Sequence, residues 1–293
     1  MRIAKRTRRL LLAVVGFACF TLGLYRFLVH RMVTAPNADE IAPDAPREGE
    51  HFFASPIDPP VTIAYEIVSA NEPEFTVFVL HGLYDSRGSM LHWGKAIADG
   101  GGRAIVIDAR GHGRSTGKVL SYGVRESQDY MKLADELVRT NVTVGKLGVL
   151  GFSTGAATAI QWAGRDARLE AVVAVAPFGK VIDVSYYIRA LLPDFFLERV
   201  IAQAGRDSGF DPNEAAAGPW IGKTKAPILF LHGTEDRRVD PDCSRDLFEH
   251  APKGSERILL ENETHASSLK DANNVGRTKA SAWFEEHLRP SGH

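Results

Sequence analysis

The amino-acid sequence predicts an α/β domain, with a mostly parallel central sheet and helices on both faces, behind an N-terminal transmembrane helix. Short apolar runs alternate with helix-like segments from residue 48 to residue 290, and the runs are continuously apolar. Continuous apolar strands are typical of parallel sheets whose two faces are both covered. The pentapeptide Gly151-Phe152-Ser153-Thr154-Gly155 stands between an apolar run and a helix-like segment, which indicates a sharp turn that presents a serine.

Residues 1–31 are interpreted as a basic flank and a signal-anchor helix. No charged residue falls between Leu10 and Tyr25, and a helix over residues 10–30 would span about 30 Å, close to the thickness of bilayer hydrocarbon. The basic cluster that precedes Leu10 favours a cytoplasmic N-terminus, with the rest of the chain on the periplasmic or extracellular side. The alternatives are a cleaved signal peptide, a lipoprotein signal ending at Cys19, and a core helix, which the absence of a polar face disfavours.

The elements that follow are predicted from composition and periodicity. Residues 32–47 are rich in Pro, Ala, Asp and Glu and predict a tether. The apolar runs predict strands over residues 50–54, 61–69, 75–80, 103–108, 146–150, 169–176, 227–232 and 256–260. The segments between them predict helices over residues 88–99, 124–140, 154–163, 241–250 and 272–288.

One interval, residues 178–225, is longer than a crossover between parallel strands needs. Its aromatic and aliphatic side chains predict a small helical cap over the strand ends. The alternative is a long crossover or a partner-binding insertion.

The composition excludes several kinds of protein. The formal net charge is −1, so no overall basic surface points to nucleic acid as a partner. The two cysteines, Cys19 and Cys243, indicate neither a disulfide framework nor a metal site. We therefore predict no metal or organic cofactor, and the sequence leaves the oligomeric state open.

A nucleophilic serine needs a base within hydrogen-bond reach and an acid that orients the base, and both candidates follow late strands. Asp236 follows the strand predicted over residues 227–232, and His265 follows the next one. With Ser153 they give the order Ser, acid, His, at the carboxyl ends of parallel strands where such sheets place their ligands. The alternatives are Glu235 or Asp240 as the acid and His232 as the base, and Asp236 and His265 could also be an ordinary helix cap and a surface histidine.

Two backbone N–H groups are needed to stabilise the oxyanion that forms when the serine attacks a carbonyl. The N–H of Thr154, directly after the serine, is one candidate. The loop after the strand over residues 75–80 supplies the other, with the N–H of Leu83 preferred over that of Tyr84. His81, at the start of this loop, is expected to be a structural hydrogen-bonding residue rather than a catalyst.

Together these features resemble the alpha/beta-hydrolase superfamily over about residues 75–290. The residues that carry the resemblance are His81-Gly82, Asp108-Ala109-Arg110-Gly111-His112-Gly113-Arg114-Ser115, the pentapeptide around Ser153, His232-Gly233-Thr234-Glu235-Asp236, and His265. The phrase that begins at Asp108 is similar to the serine aminopeptidase / monoacylglycerol lipase-like branch, and we expect it to form a tight polar loop with structural hydrogen bonds. The resemblance implies the alpha/beta-hydrolase fold and a Ser-His-Asp triad.

We therefore expect a membrane-anchored serine hydrolase in which Ser153, His265 and Asp236 react and the N–H groups of Leu83 and Thr154 hold the oxyanion. The apolar cap and the anchor favour a small-molecule or lipid acyl ester, such as a monoacylglycerol or a lysophospholipid. The alternatives are peptide or amide hydrolysis, C–C or acyl-transfer chemistry, a non-catalytic binding module on a hydrolase scaffold, and a membrane assembly protein that uses the cap as an interface.

Overall fold

The computed structural model describes residues 2–37, 45–185 and 191–290. Parts of the predicted tether (38–44) and of the predicted cap (186–190) lie outside the described residues. The division into anchor, tether and hydrolase domain therefore stays a prediction. The described residues include eight strands: β1 Glu50–Ser55, β2 Val61–Ser69, β3 Phe75–Leu80, β4 Gly102–Ile107, β5 Leu147–Phe152, β6 Leu169–Val175, β7 Ile228–Gly233 and β8 Glu256–Leu260.

The α-helices lie between these strands and at the two ends of the chain. They are α1 Arg2–Val33, α2 Leu91–Asp99, α3 Glu126–Arg139, α4 Thr154–Arg165, α5 Asp194–Ser208, α6 Pro241–Phe248, α7 His265–Lys270 and α8 Val275–Leu288. A short 3₁₀ turn over Arg87–Met90 occupies the beginning of the first predicted helix, and a second one over Val181–Ser185 precedes the cap helix α5. The helix predicted over residues 272–288 begins at Val275, and α7 forms a separate short helix before it.

The strands form a single sheet in the order β1-β2-β4-β3-β5-β6-β7-β8. The pair β1–β2 and the pair β2–β4 are antiparallel, and every pair from β4 to β8 is parallel. The carboxyl ends of β5, β7 and β8 therefore meet at one edge of the sheet, which is where Ser153, Asp236 and His265 follow their strands. This is the predicted alpha/beta-hydrolase fold, and it is confirmed.

The core consists of one apolar layer on each face of the sheet. Alternate residues of the strands point to opposite layers, as Phe78 and Val79 of β3 do. One layer packs against α3, α4 and the cap, and the other against α2 and α8. The apolar runs are continuous because both faces of the parallel strands are buried.

Helix α1 is longer than the sequence predicts and packs on the domain at its C-terminal end. It has 32 residues, and its Val14–Val33 stretch is long and apolar enough to cross a membrane, a test that a signal sequence also passes. Val29 and Val33 are buried in the same apolar layer as the cap. The chain directly after the helix pairs with the domain, since Thr34 forms a bridge with Val119 and the Leu120 N–H donates to the carbonyl of Val33 at 2.8 Å.

Candidate active site

Ser153 lies on a strained turn between β5 and α4. Its φ of 53° and ψ of −113° put it in a region that side chains rarely adopt, at a typical cost of about 1–3 kcal/mol. The flanking glycines make the turn sterically accessible. A Cβ on Gly151 would lie 2.2 Å from the carbonyl oxygen of Gly155, and a Cβ on Gly155 would lie 2.5 Å from the carbonyl oxygens of Leu80 and His81. Glycine is therefore required at both positions.

The structure brings His265 between Ser153 and Asp236. The His265 Nε2 atom lies 3.1 Å from Ser153 Oγ, and the His265 Nδ1 atom lies 2.6 Å from Asp236 Oδ2. All three side chains are buried. The position of His265 is fixed by the capping box at the start of α7, in which Thr264 and Ser267 each bond to the other's backbone N–H. With Asp236 ionised, His265 donates from Nδ1 and leaves Nε2 free to accept the serine proton.

Asp236 is held as an anion by several donors. Burial opposes its ionisation, but hydrogen bonds from His232, His265 and the Val239 N–H outweigh burial and hold the pKa of this carboxyl far below its ordinary value. The N–H groups of Arg238 and Val239 both donate to Oδ1, at 2.8 and 3.0 Å. The other carboxylate oxygen, Oδ2, therefore faces His265 and His232.

His232 contacts the acid and not the serine, a placement that the sequence argument missed. Its Nε2 atom lies 3.1 Å from the Val239 carbonyl oxygen and 3.4 Å from Asp236 Oδ2, while its Nδ1 atom is buried without a partner. The position of His232 at the end of β7, four residues before Asp236, is the feature of the sequence from which this contact could have been predicted. Neither competing acid takes the place of Asp236: Glu235 is exposed, and Asp240 caps α6 by accepting the Asp242 N–H at 2.9 Å.

The two predicted oxyanion donors lie beside the nucleophile, and neither N–H donates to another described residue. Thr154 is the first residue of α4, where helical N–H groups have no partner within the helix. The loop that carries Leu83 passes over the serine, because a Cβ on Gly82 would lie 3.5 Å from Ser153 Cβ. The alternative donor is occupied, since the Tyr84 N–H donates to His112 Nε2 at 3.3 Å.

Two neutral histidines form hydrogen bonds to residues 81–85, the loop that carries the predicted oxyanion donor Leu83 and that we call the oxyanion loop. The Nδ1 atom of His81 lies 2.7 Å from the carbonyl oxygen of Gly82, and its Nε2 atom accepts the Ala109 N–H at 2.9 Å. The Nδ1 atom of His112 lies 3.0 Å from the Arg110 carbonyl oxygen. Burial lowers the pKa of His81, and burial with the neighbouring His81 lowers the pKa of His112 to about 4.

The polar phrase that begins at Asp108 forms structural hydrogen bonds. The Arg110 guanidinium is buried and binds Asp129 with two hydrogen bonds of 2.7 and 2.9 Å. Ser115 Oγ donates to the Asp108 carbonyl oxygen and accepts the Ala64 N–H. The predicted structural hydrogen bonds are present, and they hold the loop against β2. The backbone of the loop in turn binds His81 and His112.

The described residues enclose two cavities, and the smaller one adjoins the candidate site. One of about 30 Å³ borders the oxyanion donors and is lined by Leu83, Thr154, Tyr122 and their neighbours. Its one acid, Glu126, accepts the Ser121 N–H at Oε1 and both the Ser121 hydroxyl and the Gly123 N–H at Oε2. The other cavity, of about 1090 Å³, lies between the cap and α6. Within the described ranges, no three His, Cys, Asp or Glu side chains are grouped as metal ligands would be.

The chain is similar to several known proteins. Residues 71–208 match the family model of the serine aminopeptidases, S33. The chain is 28% identical to the protein YqkD of Bacillus subtilis (strain 168), over 71% of this chain and 72% of that one. It is 26% identical to the human protein ABHD12B, over 63% of this chain and 52% of that one, so the match spans about half of the human protein.

Solved structures show the same fold. The esterase Pf2001 of Pyrococcus furiosus superimposes with a TM-score of 0.66 at 18% identity, over 88% of this chain and 98% of that one. A thermophilic esterase from Thermogutta terrifontis superimposes with a TM-score of 0.59 at 18% identity, over 81% of this chain and 99% of that one.

Proposed function

We propose that this chain, which has the alpha/beta-hydrolase fold and matches the serine aminopeptidase family model over residues 71–208, is a serine hydrolase that cleaves carboxylic esters. The observation that carries the proposal is the pair of short contacts by which His265 joins Ser153 to Asp236. The distance of 3.1 Å between Ser153 Oγ and His265 Nε2 also argues against a non-catalytic binding module, which has no need of an aligned base.

In the proposed reaction, Ser153 Oγ attacks the carbonyl carbon of the ester while His265 Nε2 takes the hydroxyl proton. The developing oxyanion accepts hydrogen bonds from the N–H groups of Leu83 and Thr154. His265 returns the proton to the leaving alkoxide, so that an alcohol departs and the acyl group stays on Ser153. Water then attacks the acyl carbon while His265 takes its proton, and His265 passes this proton to Ser153 Oγ as the bond from Oγ to the acyl carbon breaks and the carboxylic acid product leaves. Asp236 orients His265 and stabilises its cation throughout.

Active-site labelling tests the nucleophile. A fluorophosphonate should label the folded protein at Ser153, and the Ser153→Ala variant should lose both the label and esterase activity. Ser268→Ala is the matched control, because Ser268 Oγ is also buried and makes no hydrogen bond. Labelling that persists in Ser153→Ala, or that disappears in Ser268→Ala, would contradict the assignment.

Amide hydrolysis is the second candidate, because the matching family model is that of serine aminopeptidases. An aminopeptidase needs an anion for the substrate's free ammonium group. In the small cavity beside the oxyanion donors, however, both oxygens of Glu126 already accept hydrogen bonds. We therefore favour esters. A panel of p-nitrophenyl acyl esters and aminoacyl anilides decides between the two, and a preference for the anilides would overturn the ester proposal.

Membrane attachment through α1 is part of the proposal. The support is the apolar Val14–Val33 stretch, whose large side chains are mostly exposed. In a membrane fraction washed with alkaline carbonate, the full chain should remain in the pellet, and Phe17→Arg/Phe20→Arg should release it. With the basic flank in the cytoplasm, the catalytic domain would lie on the periplasmic or extracellular side, where a cysteine introduced at Val138 should react with an impermeant thiol reagent in intact cells.

A further inference from the structure

The beginning of the cap carries an exposed apolar surface. Leu191 is 82% exposed and Phe195 is 64% exposed, which is more than any other large apolar side chain outside α1 in the described part of the chain. Both lie at the N-terminal end of the cap helix α5 or directly before it. Exposed apolar side chains that adjoin a larger apolar surface mark an interaction site more often than isolated ones do.

The helix that carries Phe195 packs against α1. Phe196, the neighbour of Phe195, packs edge-on against Tyr25 of α1, with ring centroids 5.9 Å apart and an interplanar angle of 75°. The Tyr25 hydroxyl also donates to the Arg199 carbonyl oxygen of α5 at 3.2 Å. Phe27, two residues after Tyr25, is exposed on α1. The two helices therefore pack against each other, and each also carries exposed apolar side chains.

The length of α1 places this contact at the level of a bilayer. A helix needs about 20 residues to cross about 30 Å of hydrocarbon. The uncharged run begins at Leu10, so the crossing extends to about Val29. The cap already packs against the helix at Tyr25, one turn before that point. Arg26, which is exposed, is close enough to this end to direct its guanidinium to the headgroups.

We propose that the start of the cap, through Leu191 and Phe195, inserts into the boundary layer of the phospholipid bilayer that α1 enters. The occupant of this apolar surface is lipid, and the cap and α1 bind the bilayer as one unit. The inference rests on the proposed membrane attachment, and it adds a second contact that fixes how the hydrolase domain faces the membrane.

The same end of α1 is tied to the candidate active site. The Tyr84 hydroxyl donates to the Arg31 carbonyl oxygen at 3.1 Å, and the Tyr122 hydroxyl donates to the Met32 carbonyl oxygen at 2.8 Å. Tyr84 follows Leu83 in the oxyanion loop, and Tyr122 lines the small cavity next to it. A bilayer that contacts the cap therefore lies against the end of α1 that Tyr84 and Tyr122 bind, next to the loop of the candidate site.

An environment-sensitive probe tests the contact directly. The full chain with Cys19→Ser, Cys243→Ser and Phe195→Cys is labelled with the fluorophore NBD and reconstituted in phosphatidylcholine vesicles. We expect a blue shift of the emission and quenching by brominated phosphatidylcholine. Val138→Cys is the matched control, because Val138 is a partly exposed apolar residue of α3, and it should show neither effect. A blue shift without bromolipid quenching would mean that protein covers the surface, and it would overturn the proposal, as would no shift.

Activity supplies a second readout. Leu191→Asp/Phe195→Asp should lower kcat/KM about tenfold for a long-chain monoacylglycerol presented in vesicles, and should leave the rate with soluble p-nitrophenyl acetate unchanged. Val138→Asp should change neither rate. Equal loss on both substrates, or no loss on either, would overturn the proposal. Flotation of the wild-type protein with the vesicles distinguishes the attachment through α1 from the contact of the cap with lipid. If the protein floats but the probe at position 195 stays in water, only the cap contact is refuted. If the protein does not float, both the attachment and the cap contact are refuted.

Discussion

Replacement of Asp236 by asparagine should abolish most of the activity, because the local hydrogen bonds fix the orientation of the new amide. The N–H groups of Arg238 and Val239 both point at Oδ1, so the amide oxygen of asparagine must occupy that position. The amide NH₂ then occupies the position of Oδ2, which lies 2.6 Å from His265 Nδ1. Two donors cannot face each other there, so His265 must turn Nδ1 into an acceptor and carry its proton on Nε2.

A proton on Nε2 points at Ser153 Oγ, and His265 can then no longer take the serine proton. The wrong tautomer in comparable triads costs on the order of 10⁴ in kcat, which corresponds to about 5 kcal/mol of transition-state stabilisation. The assay is the steady-state hydrolysis of a p-nitrophenyl ester, together with the rate of fluorophosphonate labelling, which should fall in parallel.

Asp240→Asn is the matched control. Asp240 accepts the Asp242 N–H at the start of α6, and asparagine is an equally good N-cap, so activity should stay at the wild-type level. The reasoning would be refuted if Asp236→Asn lost less than tenfold in kcat. It would also be refuted if Asp240→Asn lost as much as Asp236→Asn, because the acid of the triad would then be Asp240.

Three further predictions concern the frame of the site. Gly155→Ala should destabilise the fold by about 3 kcal/mol, because the new Cβ would lie 2.5 Å from the backbone carbonyl oxygens of the last residue of β3 and of the residue after it. A lower midpoint of thermal unfolding would show this loss. The lowered pKa of His112, about 4, should reduce the free energy of unfolding by about 3 kcal/mol as the pH falls from about 6.5 to about 4, because in that range only the unfolded chain binds the proton. Denaturant titrations at several pH values measure this reduction. Arg110→Leu should cost about 3–5 kcal/mol of stability, because it leaves the buried carboxylate of Asp129 without its guanidinium, and chemical denaturation measures this cost.

Each of these predictions has a control in the same chain. Gly222→Ala meets no atom within 4 Å and should leave the thermal midpoint unchanged. His112→Gln should remove its share of the acid-dependent loss, while the share of His81, whose pKa is lowered in the same direction, remains. Arg139→Leu breaks an exposed ion pair on α3 and should leave stability unchanged. Equal effects in a variant and its control would contradict the mechanism given for that variant.

Much of the fold could be predicted because its signals are local. The strand β3 was predicted over the same residues that form it, since an apolar run between turn residues identifies a buried strand directly. The sheet order places Ser153, Asp236 and His265 at one edge because each residue lies within five positions of the carboxyl end of a parallel strand. The break between α7 and α8 was missed: Asp271 and Asn274 both adopt left-handed backbone conformations there, and the sequence pattern does not reveal such a conformation.

Contacts between distant segments could not be predicted from local patterns. Nothing near Tyr25 in the sequence indicates that its ring packs against Phe196, 171 positions later. The same holds for His232, whose role depends on the path of the loop that returns Val239 and Asp236 to its side chain. Apolar patterns show that a surface must be covered, but they do not show which other segment covers it.

The proposed chemistry requires opposite behaviour from three buried histidines. His265 must gain and lose a proton in every cycle, whereas His81 and His112 must stay neutral, because each accepts a backbone N–H at Nε2. A second proton on either ring would face that N–H and push the oxyanion loop, with Leu83, away from Ser153. The difference follows from the surroundings. His265 has the anion of Asp236 at Nδ1 to balance a positive charge, whereas the Nδ1 atoms of the other two face only carbonyl oxygens. Burial without an anion in contact keeps His81 and His112 neutral, so the loop that carries Leu83 stays in place while His265 beside it changes its charge.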